Sequence, residues 1–328
     1  MKKNQTLVLI LLCIITGCQP AVVDTTPQVK VPDNALEIIN NDYPRVDGST
    51  STFPLQMLIA CKAFGISCVW WDHSPFGPFD MTTRGIYPEE DIWLTHSEIG
   101  EKLFNIYHNG THGSYMNLIQ GDADIILVAR EPSDDEIRAA QMRGVTLNIQ
   151  PVALDAFVFL VNVENKVDDL SLDTIQDVYT GEYLRWAEVG GGDGNIQSYQ
   201  RNPNSGSQEL MEKLVMQGAP MVDAPDMILE GMMGPFNAIS SDVYGIGYSV
   251  YFYAEYMFTS ETVKMIGVDG VDPTSENISQ RNYPLTTEVY VVINENTSED
   301  STARLLRDWL LTDEGQAVVG ESGYVPVR

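Results

Sequence analysis

Residues 201–214 read RNPNSGSQELMEKL. Ser205, followed three residues on by Gln208, fits the capping box that opens a helix. Gly206 lets a ligand come close to the backbone. Arg201, four residues before Ser205, is placed to add a bidentate, charge-assisted contact to an oxyanion. A helix N-terminus carries unpaired N–H donors and a partial positive charge, so such a stretch suits an anion as well as it suits a plain cap.

Two other stretches are built alike. DGSTSTFPL (47–55) sets five small or hydroxyl residues before Pro54, and proline suits the first helical position because its missing N–H is not needed there. NGTHGSYMNLIQ (109–120) again opens an apolar periodic segment with Gly and hydroxyl residues. Taken singly, each is more often a cap than a site. Converging, the three would wrap a tetrahedral oxyanion in donors, but a sequence alone does not display convergence.

Around these junctions, β-rich runs alternate with helical ones, an α/β pattern. Strands are expected at Arg45–Asp47, Asp124–Ala129, Ala156–Val163, Gly245–Tyr253, Val263–Val268 and Glu288–Asn294. Helices are expected at Pro54–Phe64, Ser114–Gln120, Asp134–Arg143, Leu172–Tyr179, Gln208–Gln217 and Thr302–Leu311. AFVFLVN (156–162) and EVYVVIN (288–294) share one pattern. They read equally as strands crossing between two lobes and as ordinary central strands.

The chain has 328 residues and a net charge of −27, which argues against nucleic acid as a partner. A small buried anion is still admissible, because it feels nearby dipoles more than screened surface charge. Lys2 and Lys3 precede an apolar run, Leu7–Ile15, too short to span a bilayer. That run ends in Ile15-Thr16-Gly17-Cys18, which resembles the lipobox of bacterial lipoproteins, implying a signal peptide over 1–18 and a lipidated Cys18. Residues 19–40 read as a flexible tether. What remains is more than one core usually carries, so two lobes are expected.

Cys61 and Cys68 form an even pair in an oxidising compartment. On one continuous helix they would be too far apart to bridge; Gly65 can end the helix and turn the chain back. A local disulfide and two buried thiols both stay open. An enzyme reading finds no G-x-S-x-G elbow. The histidines His73, His96, His108 and His112 lie in or near one aromatic segment. His108 and His112 have a helical metal-ligand spacing, but Gly110 between them favours polar loop residues. No metal, cofactor or catalytic group is expected.

In order, DGSTSTFPL, GTHGSYMNLIQGDADIILVAR, YTGEYLRWAEVGG, RNPNSGSQE, GIGYS, YPLTTEVYVVIN and LRDWLLTDEGQAVVGESGYVPV resemble the phosphate-binding proteins of phosphate-specific ABC transporters. The resemblance covers most of 45–328 and implies a type II periplasmic-binding-protein fold, α/β and two-lobed, with a ligand cleft and two crossing strands. One lobe would comprise 41–155 with 250–328, carrying an aromatic insertion at about 65–108, and the other 156–249. The implied phosphate ligands are Ser51, Thr52, Phe53, Thr111, Arg201, Ser205, Gly206 and Ser207. Asp124 falls where the family places an acceptor for the phosphate's proton, which would disfavour sulfate. The apolar Ile125–Val128 that follows weakens that assignment and leaves a strand-end cap as the alternative for it. Arg130 either reaches the anion or pairs with Glu131 or Asp134. The insertion, with Trp70, Trp71, Phe76, Phe79, Tyr87 and Trp93, would be a lid, a partner surface or a lobe cap. The implied partners are inorganic phosphate and a transporter permease, with a monomer anchored by lipid outside the cytoplasm or free in the periplasm. Sulfate or molybdate receptors, and a sensor or scaffold of the same fold, are the alternatives.

Overall fold

The structure, a computed structural model, describes residues 31–72, 83–104, 106–258 and 260–328. The signal peptide, Cys18, His73, Phe76 and Phe79 lie outside the described residues. Val31–Arg328 forms one compact unit. The helix Ala35–Asn41 overlaps the end of the stretch 19–40 expected to be a tether, and its buried Ala35 and Ile39 join the core. The tether reading therefore fails for these residues: their apolar positions, too few to show a period, become a packed face once tertiary neighbours supply the other side.

The organising element is the strand Leu147–Asn162, sixteen residues long. Its first part runs antiparallel to Thr286–Asn294, which pairs in turn with Ile125–Val128, and that strand lies parallel to Val46–Gly48. Its last part pairs antiparallel with Gly245–Val250 and with Val263–Val268. One strand thus carries two groups of partners within a nine-stranded sheet. Thr286–Asn294 pairs only along the first part, so the two look-alike runs have different roles: one crosses, the other is a central strand of the first group.

The crossing strand begins nine residues before its expected start at Ala156. Pro151 and Asp155 hid this, being poor strand formers. Pro151 lies opposite Tyr290 where the register shifts between Val289 and Tyr290, so the missing N–H falls at a bulge. Asp155 is buried, and its Oδ1 accepts from the backbone N–H of Ala156 and of Phe252. The carboxylate closes an irregularity that a regular ladder would leave unpaired.

Thr302–Leu310 buries Leu306, Trp309 and Leu310 as one face, with Leu305 packed against the same core. The expected strand from Gly245 stops at Val250, and a π-helical turn, Tyr253–Met257, follows. Another π-helical turn, Met211–Met216, continues the short helix Gly206–Leu210. Phe53–Phe64 ends at Gly65, whose φ of 66° turns the chain back so that Cys68 reaches Cys61, and the two form a disulfide. Beyond it, Cys68–Trp71 and Gly85–Pro88 pair antiparallel. Within this aromatic segment Trp70 lies against Phe252 and Tyr256.

Candidate functional site

Val46–Gly48 and Ile125–Val128 are parallel, and so are Gln200–Arg201 and Ile228–Leu229. The residues just past the carboxyl ends of all four strands line one cavity of about 480 Å³, which contains Ser49, Ala129, Asn202 and Gly231. Ligands of α/β folds bind at this end because loops and helix N-termini gather there. The three junctions meet here: Ser49 to Ser51, Asn109 to Gly113, and Asn204 to Ser207.

Asp47 joins the first junction to the second. Its Oδ1 accepts from the backbone N–H of Gly48 at 2.7 Å and of Asn109 at 2.9 Å, and from the Ser114 hydroxyl at 3.0 Å. Its Oδ2 accepts from the amides of Asn109 and Asn117 at 2.9 and 2.7 Å. A buried carboxylate holding five donors has no lone pair left for a ligand's proton. Ser49 Oγ accepts from Ala129 N–H at 3.0 Å and lies 2.7 Å from Thr111 Oγ1. The C-terminal GYVPV motif supports this loop from behind: Tyr324 stacks on Phe252 and donates its hydroxyl to Ser51 O.

The third junction presents Arg201. The turn before the helix takes Asn204 through φ 64°, a conformation asparagine tolerates. Ser205 then caps the helix by accepting from Gln208 N–H. The expected capping box is only half made, because the Gln208 side chain turns inward. Its Oε1 accepts from Arg201 N–H at 3.2 Å and from the Tyr248 hydroxyl, fixing the backbone of the arginine. The Arg201 side chain donates from Nε to Leu229 O at 3.1 Å, and its Nη1 lies 3.6 Å from Met232 Sδ. Arg201 is 6% exposed, and among the described residues no carboxylate pairs with it. Burial pushes its pKa down.

The expected ligands divide. Ser51, Thr111, Arg201, Ser205, Gly206 and Ser207 line the cavity. Thr52 does not: its fully buried hydroxyl lies 2.8 Å from the carbonyls of Ser49 and Leu127 and accepts from Gln56. The Phe53 ring packs between Tyr87 and His108, tying the aromatic segment to the rim of the cavity. Asp124 lies away from the cavity and takes two hydrogen bonds from the Arg45 side chain and one from its backbone. The strand-end reading holds for it and the proton-acceptor reading does not, because its lone pairs are engaged at the opposite end of its strand. Arg130 also stands outside the cavity. It pairs with Glu136, donating from Nη1 at 2.8 Å and from Nη2 at 2.9 Å, and Nη1 also reaches Glu131 O.

Residues not foreseen as lining include Ser49, Asn109, His108, His112 and Met232. Ser49 and Asn109 stand inside stretches already singled out. The histidines had been set aside as loop residues, yet the helix Gly110–Gln120 starts at Gly110 and carries His112 on its first turn. His112 Nδ1 lies 3.0 Å from Glu136 Oε1. Desolvation of the ring lowers the His108 pKa even though the residue keeps an exposed surface, with Asp47 opposing the shift. Among the described residues, no Asp or Glu lines the cavity and no cluster of metal-ligating side chains is present. Among the described residues, the cavity is lined by neutral polar groups and one guanidinium, with no acid.

A family model described as a PBP superfamily domain matches residues 98–314. The chain belongs to the PBP superfamily. This PBP-superfamily chain is 28% identical over 180 residues to the phosphate-binding protein PstS of Bacillus subtilis, a match covering 54% of this chain and 56% of that one. It is 25% identical over 229 residues to the PstS of Pseudomonas aeruginosa, covering 64% and 70%. Among solved structures, a putative phosphate ABC transporter substrate-binding protein from Clostridium perfringens superposes with a TM-score of 0.62 at 23% identity, over 86% of this chain and 98% of that one. A phosphate transport receptor from Vibrio cholerae gives 0.57 at 21%, over 85% and 98%. These superpositions show the two-lobed binding-protein fold.

Proposed function

We propose that this protein captures inorganic phosphate outside the cytoplasm and delivers it to an ABC transporter by closure of two lobes, without chemistry on the ligand. The observation that carries the reading is Arg201, a buried guanidinium with no carboxylate partner among the described residues, lining a cavity built from three helix starts. An oxyanion entering there gains a charge-assisted hydrogen bond and loses none to a competing acid. Relatives named phosphate-binding proteins support the choice of anion.

The lobes would comprise 41–155 with 250–328, and 156–249, with Leu147–Asn162 supplying a crossing between them. The ligand bridges the two faces of the cavity and shifts the population toward a closed form that a permease reads. A lipid on Cys18 would hold the monomer at the membrane. The Cys61–Cys68 disulfide agrees with an oxidising, extracytoplasmic address. Among the described residues, no helix is long and apolar enough to cross a membrane.

Calorimetric titration of the chain from residue 19, freed of ligand by unfolding and refolding, tests the reading with phosphate, sulfate and molybdate. Tight binding of phosphate is expected. A refolded chain that binds none of the three would remove the transport reading and leave a sensor or scaffold.

A further inference from the structure

If the cavity takes phosphate, some group must accept the proton that distinguishes it from sulfate. Neither Asp47, whose oxygens are saturated, nor Asp124, which lies elsewhere, can do so. Glu136 is fully buried and does not line the cavity. It remains ionised: burial pushes its pKa up, but the hydrogen bonds and attraction of Arg130, with help from Ser133 N–H and His112, hold it below its ordinary value. An ionised carboxylate only accepts hydrogen bonds, so His112 Nδ1, 3.0 Å away, must carry the hydrogen. In a neutral imidazole that leaves Nε2 as the acceptor. His112 lines the cavity, and Nε2 has no hydrogen-bond partner among the described residues.

We infer that His112 is the residue that recognises the protonated oxygen of the anion, with Glu136 and Arg130 behind it as the pair that sets its tautomer. The inference rests on the phosphate reading above. Phosphate brings a hydroxyl for Nε2 to accept. Sulfate brings only oxygens that repel the nitrogen's lone pair, unless the ring first takes up a proton. Arg130, at the end of its strand, acts through Glu136 and not on the ligand. His108 also lines the cavity, but its ring bonds to its own backbone, and among the described residues no carboxylate is hydrogen-bonded to it as Glu136 is to His112.

The test uses the full chain in mild detergent at pH about 8, above the ordinary histidine range. Phosphate, sulfate and monofluorophosphate, which carries fluorine in place of the hydroxyl, are titrated into the wild type and into His112→Phe, His112→Gln and His108→Ala. Thermal unfolding confirms that each variant is folded. Wild type should prefer phosphate to both other anions. His112→Phe should weaken phosphate by about tenfold or more, the worth of one hydrogen bond to a charged group, and leave sulfate within about threefold. His112→Gln should recover part of the preference through its amide oxygen. An unchanged phosphate-to-sulfate ratio in His112→Phe would overturn the inference while leaving the phosphate reading intact. So would equal wild-type binding of phosphate and monofluorophosphate, or loss of selectivity in His108→Ala alone. Wild-type protein that binds none of these anions would remove both.

Discussion

A Cβ placed on Gly206 would lie 2.5 Å from Thr111 Oγ1. The second and third junctions therefore touch, and they touch through a hydroxyl that also lies 2.7 Å from Ser49 Oγ. Gly206→Ala should displace the Thr111 side chain and break this relay. The expected result is a loss of phosphate affinity of about tenfold, from one misplaced neutral donor, with the fold retained. Calorimetry beside thermal unfolding separates the two effects.

Arg201→Ala should weaken anion binding most among single changes to the cavity, by about tenfold to a hundredfold, because among the described residues it is the one Lys or Arg that lines the cavity. Arg201→Lys should recover only part of the loss, since an ammonium does not reproduce a planar fork. Because Arg201 has no carboxylate partner among the described residues to leave stranded, the alanine variant should unfold at or above the wild-type temperature. Affinity within twofold of wild type would take Arg201 out of the site.

Asp124→Asn should leave the ratio of phosphate to sulfate affinity unchanged. Its carboxylate is spent on Arg45, 2.6 Å away, in a pair whose side chains are 52% and 39% exposed. Such a pair contributes about 0–1 kcal/mol, so the cost should appear as a small drop in melting temperature. A shift in selectivity would return Asp124 to the cleft.

Asp155 should make stability depend on pH. Burial raises its pKa to about 7, against the opposing hydrogen bonds from Phe252 and Ala156, while Oδ2 has no hydrogen-bond partner among the described residues. A carboxyl whose folded pKa exceeds its unfolded value binds more protons in the folded state. Its contribution is therefore most favourable below the unfolded pKa and is lost as pH rises toward about 7. Asp155→Asn should flatten the decline between pH 4 and 7, an effect of up to a few kcal/mol. Urea titrations across that range would show an undiminished slope if Asp155 were not responsible.

Reducing the disulfide, or replacing Cys61 and Cys68 by serine, frees a short loop and should cost about 2–3 kcal/mol. Neither cysteine lines the cavity, so phosphate affinity should not change. An affinity loss would mean that the aromatic segment reaches the ligand.

The sequence by itself determined the three helix starts, the alternation of strand and helix, and Arg201 as the charge to watch. Each is local: a hydroxyl, a glycine or a proline sets backbone geometry within a few residues. The Cys61–Gly65–Cys68 turn belongs here too. Two things were beyond local reading. The crossing strand was cut short because Pro151 and Asp155 contradict strand propensity, and only the bulge opposite Tyr290 and the backbone donors of Phe252 reconcile them. Asp124 was assigned by its position along the chain, whereas the availability of a carboxylate depends on which donors surround it. Asp47 holds five hydrogen bonds, Asp124 holds Arg45, and Glu136 holds Arg130 and His112. Hydrogen-bonding capacity is consumed by neighbours distant in sequence, so only the tertiary structure decides which polar groups are left to face a ligand.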